Sequence, residues 1–137
     1  MKLINMKNYT LYLGFLFATM LFACKKEDKR PVIVFKTGVG YTAVDKIVAK
    51  NSIVLVGIEA EKTGSNHVLT TFDAARVYDD DAPESFLTES LTGADGDRYS
   101  RDISITTRNF YGTEKYVFTV TDSDGQTQSV SFTLAVQ

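Results

Sequence analysis

Apolar residues recur at every second position through much of this chain, which is the spacing of a β-strand with one buried face. In residues 53–61 the even-numbered positions are apolar and share one face, while Glu59 and Glu61 point to the other. The same alternation runs through residues 116–121 and 130–136. The positions predicted to face a core are Val54, Val56, Ile58 and Ala60, then Tyr116, Phe118 and Val120, and then Val130, Phe132, Leu134 and Val136. The pattern therefore indicates a β-sheet fold with no amphipathic helix.

Turn-forming residues divide these runs into separate strands. Asp124-Gly125 lies between the last two runs, and because an Asp-Gly pair can adopt the positive φ angles of a tight turn, residues 114–136 are predicted to form a β-hairpin. Further strands are predicted at residues 32–35, 68–78, 86–91 and 99–107. About seven strands within residues 31–137 predict an all-β fold, a single antiparallel β-sandwich of two sheets.

The final hairpin resembles the last two strands of bacterial immunoglobulin-like or PKD-like domains. The resemblance rests on the stretch from Tyr116 to Leu134, with Asp122-Ser123-Asp124-Gly125 at its turn. It implies that Tyr116 takes the place of the tyrosine-corner residue and Phe118 the place that a cysteine takes in antibody domains. The chain has one cysteine and no tryptophan, so it lacks both the cysteine pair and the tryptophan that are typical of antibody domains.

The first 23 residues have the three zones of a secretory signal. Lys2 and Lys7 precede an uncharged, mostly apolar run over residues 9–23. At about 15 residues the run is shorter than the roughly 20 that cross a bilayer as a helix, so cleavage fits better than a permanent span. Leu21-Phe22-Ala23-Cys24 resembles the lipobox of bacterial lipoproteins, which implies removal of residues 1–23 and acylation of Cys24. The alternative is an ordinary cleaved signal with a cysteine nearby by chance.

Residues 24–30 are expected to be the acylated cysteine and a solvated tether, because every residue from Lys25 to Arg30 is charged. A lysine followed by two acids, Lys26-Glu27-Asp28, resembles the surface-export signal of Bacteroidetes-type lipoproteins. That resemblance implies an outer-membrane lipoprotein on the cell surface, held in the membrane by its acyl chains. The periplasmic face is the alternative location.

The charge and residue content of residues 31–137 exclude several classes of function. Nine basic and fifteen acidic residues give this segment a net charge of −6, which argues against a nucleic-acid partner. His67 is the single histidine, so a histidine-rich metal site is impossible, and we expect it half-exposed at the beginning of a strand. A nucleotide-binding glycine-rich loop is not found either.

Immunoglobulin strand order would bring three connections, residues 61–66, 92–97 and 122–126, to one end of the sandwich. Ca²⁺ takes six to eight oxygen ligands, so carboxylates that converge from loops predict a possible calcium site. The alternative is that aspartate and glycine form turns and keep the surface soluble. The predicted calcium ligands are Glu61, Asp95, Asp97, Asp122 and Asp124.

The opposite end would carry Asp79-Asp80-Asp81 together with Phe110 and Tyr111. Aromatic rings in a loop can stack on a sugar or anchor a protein partner, although Phe110 could instead close the end of the core. Six tether residues reach at most about 20 Å, so the acidic end would lie near the membrane and the aromatic end would face outward. Phe110 and Tyr111 are therefore the candidate ligand contacts.

Two classes of function are predicted from these features. The first is a surface-exposed binding module for a protein or a glycan of the envelope, without catalytic activity. The second is a structural spacer or an assembly subunit of an outer-membrane complex. An exposed aromatic patch favours the first, and a bare strand edge favours the second. A carboxylate-based glycoside hydrolase is the third and least favoured class. The fifteen acids lie mainly in predicted turns, where no burial would raise the pKa of a carboxyl group as this catalysis requires.

Overall fold

The computed structural model describes residues 29–137, so Cys24, the signal segment and residues 25–28 of the tether lie outside the described part. The described residues form a two-sheet β-sandwich with one short helix. Its elements are β1 (Val32–Phe35), β2 (Lys46–Val48), β3 (Ile53–Glu61), β4 (Leu69–Tyr78), β5 (Glu84–Ser90), α1 (Ala94–Asp97), β6 (Arg98–Thr106), β7 (Gly112–Asp122) and β8 (Thr127–Val136). Within residues 29–137 no helix combines the length and the apolar character that a membrane crossing requires.

One sheet has the strand order β1-β3-β6, and the other has the order β2-β8-β7-β4-β5. The all-β sandwich is confirmed, with eight strands in place of about seven. The additional strand is β2, which has three residues and is too short to show an alternating pattern. It also pairs parallel to β8, whereas the other strand pairs are antiparallel. The chain changes sheet between β1 and β2.

The predicted inward faces of the long strands are buried, except at Val130 near the start of β8, which is only partly buried. Val56 and Ile58 of β3 are fully covered, and Glu59 and Glu61 are exposed as expected. Phe118 of β7 lies at the centre of the core, where its ring centroid is 5.8 Å from that of Phe35 on β1 in the other sheet. Each fully buried side chain of this size contributes roughly 1.5–3 kcal/mol, so the face-to-face packing holds the two sheets together.

Tyr116 differs from the tyrosine-corner arrangement that the resemblance implied. Its ring is buried, and its hydroxyl donates a hydrogen bond of 2.6 Å to Oε2 of Glu114 on the same strand. A tyrosine corner instead bonds the backbone a few residues upstream. The difference arises because Glu114 is itself fully buried and provides an acceptor inside the core.

The connections separate into two groups at opposite ends of the sandwich. At one end the Ser123 N–H donates to the carbonyl of Val68, and the Lys62 N–H donates to the carbonyl of Asp97. The three connections expected to cluster therefore do so. The Thr63 hydroxyl donates to the carbonyl of Arg30, which places the first described residues at the same end. We call this the acidic end.

Candidate functional site

Phe110 and Tyr111 lie in the loop between β6 and β7, with 69% and 72% of their surface exposed. The alternative in which Phe110 closes the core is therefore wrong. Thr107 and Glu114 occupy that position instead, since both are buried at this end of the sandwich. The Thr107 hydroxyl donates to the carbonyl of Ala49, which ties the loop before β3 to the loop after β6. This closure leaves the two aromatic rings outside the core.

A neighbouring loop supports the Tyr111 ring. The Lys50 ammonium lies 4.0 Å from the centroid of the Tyr111 ring, a cation–π contact that contributes about 0.5–1 kcal/mol at exposed sites. Asn51 has a positive φ of 57° and its side-chain amide donates to Oδ1 of Asn109 at 2.9 Å. We call Phe110, Tyr111 and Lys50 the aromatic end.

Arg108 connects the aromatic loop to the turn after β4. Its Nη2 donates to Oδ2 of Asp79 at 2.9 Å, and its Nε lies 3.3 Å from Oε1 of Glu114. The second contact is an ion pair without hydrogen-bond geometry. The guanidinium also lies 4.5 Å from the ring centroid of Tyr78. We call Arg108, Asp79 and Glu114 the Arg108 clamp, because it joins the start of the aromatic loop, the turn after β4 and strand β7.

Glu114 is the buried member of this clamp. Its Oε1 accepts the backbone N–H of Arg108 at 2.8 Å, and its Oε2 accepts the Tyr116 hydroxyl. Burial, followed by this hydrogen bond, raises the pKa of Tyr116 well above its ordinary value, so the hydroxyl remains a donor. A buried carboxylate with these partners fixes the backbone at the base of the loop.

Asp79 belongs to the clamp and is not a free member of the acidic triplet. Its Oδ1 accepts the Thr113 N–H at 2.8 Å, and this bond, followed by that from Arg108, holds the pKa of Asp79 below its usual range. A Cβ atom on Gly112 would come within 2.3 Å of Oδ1 of Asp79, and Gly112 has a φ of 146°. Only glycine therefore fits where the clamp passes the start of β7.

The acidic end brings the three loops together but does not bring the five predicted calcium ligands together. Glu61 pairs with Arg98 at 2.8 Å, and Asp97 pairs with Lys62. Asp122 is buried, and its Oδ1 accepts the backbone N–H groups of Asp124 and Gln126. Asp95 lies in α1, and Asp124 Oδ2 lies 2.9 Å from Nδ1 of His67. Among residues 29–137 no three such side chains are grouped for a metal ion, so calcium binding stays a prediction.

A polar cluster on the outer face of the three-stranded sheet was not predicted. Asp102 accepts a hydrogen bond from Lys36 Nζ at 2.7 Å and another from the Tyr41 hydroxyl at 3.0 Å. The hydrogen bond from Lys36 lowers the pKa of Asp102 most. Gly57, a glycine inside an alternating strand, was the available signal, since such a position often marks a close approach of another segment.

The same face has one shallow cleft of about 230 Å³. Ligand pockets for small molecules have volumes of about 300–1,000 Å³ and are mostly apolar. This cleft is smaller, and exposed charged residues form part of its wall. Its lining includes Val32, Val34, Glu59, Glu61, Arg98 and Ser100. It offers little support for a small-molecule site.

Neither the profiles of known protein families nor the sequences of curated proteins match this chain. Solved structures with a similar fold include a superoxide reductase (neelaredoxin) from Ignicoccus hospitalis, with a TM-score of 0.51 at 6% identity over 79% of this chain and 80% of that one. A β-glucosidase from Listeria innocua has a TM-score of 0.50 at 8% identity, and the match covers 80% of this chain but 16% of the enzyme. At these identities the likeness concerns the fold alone.

Proposed function

We propose that this chain is a cell-envelope lipoprotein whose sandwich domain is a binding module, without catalytic activity, for a protein or a glycan. The observation that carries the proposal is the exposure of Phe110 and Tyr111 at one end of the domain. Exposed aromatic residues in a loop are typical of surfaces that stack on sugars or anchor a protein.

The rigid support of these rings favours a binding role. One residue, Asn109, separates Arg108 from the two aromatic residues, and the Arg108 side chain is held by Asp79 and Glu114. A loop fixed before binding loses less conformational freedom when a partner is bound. The Arg108 clamp thus presents the rings at low entropic cost, although the residues themselves contribute little to the core.

The predicted anchor agrees with this arrangement. Arg30 lies at the acidic end, and strands of about ten residues span roughly 33 Å between the two ends. With Cys24 acylated and a short charged tether, the acidic end would lie near the outer membrane and the aromatic end away from it. A surface location would follow from the Lys26-Glu27-Asp28 export pattern.

Glycoside hydrolysis is not part of the proposal. A catalytic carboxylic acid must hold a proton near neutral pH, which requires a raised pKa. The pKa values of Asp79 and Asp102 are shifted in the opposite direction by hydrogen-bond donors and cations. Both groups are therefore suited to structural ion pairs.

The proposal can be tested by measuring binding with the aromatic rings removed. The Phe110→Ser/Tyr111→Ser variant, the unaltered protein and a Val44→Ser control would be presented to a glycan array and to a native envelope extract. Val44 is a suitable control because it is an exposed apolar residue in the segment between β1 and β2. Support would be a ligand that binds the unaltered protein and Val44→Ser but not the aromatic variant.

Two results would contradict the proposal. One is a ligand that the aromatic variant retains at full affinity, which would move the binding surface elsewhere. The other is that neither the glycan array nor the envelope extract yields a ligand, although mass spectrometry shows that the protein is acylated and intact.

A further inference from the structure

Strand β6 has an open edge that differs from the other sheet edges. It pairs with β3 at nine consecutive positions, from Arg98 opposite Glu61 to Thr106 opposite Ile53, with no bulge. The other edge strands are β1 with four residues, β2 with three, and β5, whose pairing with β4 is interrupted by a register shift at Ala74/Ala75. Within residues 29–137 no strand pairs with the second edge of β6. A long regular edge is a template for another strand.

Charges along β6 are arranged so that the strand complements itself. If a second β6 runs antiparallel with Ser100 opposite Ser100, then Arg98 faces Asp102 of the second copy, and Asp102 faces its Arg98. Both residues are exposed on the outer face. Opposite charges directly across two strands stabilise the pair, and like charges destabilise it. A register centred on Asp102 would instead place two carboxylates opposite each other.

The cross-strand rows of the existing sheet extend this complementarity. Arg98 is opposite Glu61 in β3, and these two side chains form an ion pair. On the second copy, Asp102 forms an ion pair with Lys36, whose side chain passes over Gly57, the residue opposite Asp102 in β3. The row across the joint would read Glu61, Arg98, Asp102 and Lys36, with charges that alternate in sign. The two-fold symmetry generates this row twice.

We propose that two copies of this chain form a symmetric dimer through antiparallel pairing of their β6 strands, centred on Ser100. This inference goes beyond the proposed binding role and does not depend on it. Because β6 begins at Arg98, five residue pairs form across the joint, from Arg98 opposite Asp102 to Asp102 opposite Arg98. The two three-stranded sheets become one six-stranded sheet, with the symmetry axis perpendicular to it. Such a contact has the self-complementary form that a two-fold axis requires.

The dimer keeps both predicted anchors on one side of a membrane. Val32 lies in the same cross-strand row as Arg98, two residues from the row of Ser100. With strands spaced about 4.8 Å apart and a rise of about 3.3 Å per residue, each Val32 lies within roughly 15 Å of the axis. Both tethers therefore begin near the middle of the dimer, and the two aromatic ends point in opposite directions along the membrane surface, whereas the aromatic end of a monomer would point away from the membrane.

Disulfide trapping tests the register. Ser100→Cys would be compared with Ser104→Cys, each in the full chain with Cys24→Ala so that the new thiol is the single one. Paired residues in an antiparallel sheet have Cα atoms about 4.5–5.5 Å apart, within the range that a disulfide spans. Position 104 would lie about 26 Å from its counterpart. We expect Ser100→Cys to form a linked dimer at least tenfold faster. Equal rates, or no dimer from Ser100→Cys, would overturn the proposal.

A charge change provides an independent test in the full-length protein. Arg98→Glu places an acid opposite Asp102 twice, so we expect the dissociation constant of the dimer to rise about tenfold by sedimentation analysis. Lys115→Glu makes the same charge change on an exposed position of β7 and should leave the constant unchanged. Thermal unfolding would verify that both variants fold. A protein that stays monomeric at millimolar concentration, or an equal effect of the two variants, would refute the dimer.

Discussion

The Tyr41 ring lies across Gly57 on the outer face of the three-stranded sheet, where a Cβ atom on Gly57 would come within 2.7 Å of Tyr41 Cε1. The Tyr41 hydroxyl is held by Asp102 on β6, and the Thr42 N–H donates to the carbonyl of Leu55. Aromatic cover of a strand glycine compensates for its missing side chain. The contact thus fixes the segment in which the chain passes from β1 in one sheet to β2 in the other.

Replacement of Gly57 should displace Tyr41. We expect Gly57→Ala to lower the free energy of unfolding by about 1–3 kcal/mol, because the new methyl group overlaps the Tyr41 ring and the Lys36 side chain, whose Cδ would lie at 2.6 Å. Chemical denaturation of the single variants Gly57→Ala and Tyr41→Ala and of the double variant measures the coupling. In the Tyr41→Ala background the methyl group has more room, so the cost should fall by at least about 0.5 kcal/mol. Strict additivity would contradict this account of Gly57.

The buried pair Glu114 and Tyr116 should be sensitive to loss of either partner. Tyr116→Phe leaves Oε2 of Glu114 without its donor inside the core, so we expect a loss of about 1–3 kcal/mol in unfolding free energy. Glu114→Ala also removes the partner of Arg108 and should cost about 3–5 kcal/mol. Equilibrium denaturation measures both. Thr119→Ala, at a partly buried position of the same strand, is the control.

If Tyr116→Phe were neutral, the hydroxyl would not contribute to the clamp. The comparison with Glu114→Gln then separates charge from shape, because glutamine retains an acceptor for the Arg108 N–H. We expect Glu114→Gln to be less destabilising than Glu114→Ala. The reverse order would show that the carboxylate does not support the aromatic loop.

Asp79 should make stability depend on acid pH. Its pKa is lowered in the folded protein by the Thr113 N–H and by Arg108, so the folded state favours the charged form. The contribution is fully present above the unfolded pKa of about 3.9 and is lost as the pH falls through the lower folded pKa. The difference in unfolding free energy between the unaltered protein and Asp79→Asn should therefore shrink below about pH 4. Thr113→Ala keeps the backbone donor and adds no titratable group, so its effect should not change with pH. A difference that grows in acid would have the wrong sign.

The sheet architecture was accessible from the sequence because the long strands each have one buried face. Residues 53–61 and 116–121 alternate over enough positions that their faces could be assigned, and the Asp124-Gly125 turn set the register of the last hairpin. Strand β2 was not predicted, because its three residues, which pair in parallel with β8, are too few to show an alternation of apolar and polar positions. Its position depends on tertiary contacts such as the bond from the Thr133 N–H to Asp45.

The sequence predicted which residue types form the candidate site, but not how buried these residues are or which side chains they contact. Phe110 and Tyr111 were identified as aromatic loop residues, yet the sequence left open whether Phe110 enters the core. That choice depends on Thr107 and Glu114, which close the same space from the loop after β6 and from β7. Likewise, Glu61 and Asp97 reached the expected end but face Arg98 and Lys62. Pairing between side chains distant in sequence cannot be inferred from their spacing.

Membrane attachment is predicted to depend on Cys24 and surface exposure on the residues after it. Cys24→Ala removes the predicted acylation site, so the chain should lack acyl chains and either leave the detergent phase in a partition assay or keep residues 1–23 uncleaved. Replacement of Lys26-Glu27-Asp28 by alanines should keep the protein acylated but reduce its cleavage by protease added to intact cells, because the export pattern is lost while the lipobox remains. Mass spectrometry of the N-terminal peptide identifies the acyl chains in each case. An acylated, membrane-bound Cys24→Ala protein would refute the lipobox assignment. Unchanged protease cleavage of the triple-alanine variant would refute the export signal while leaving the anchor intact.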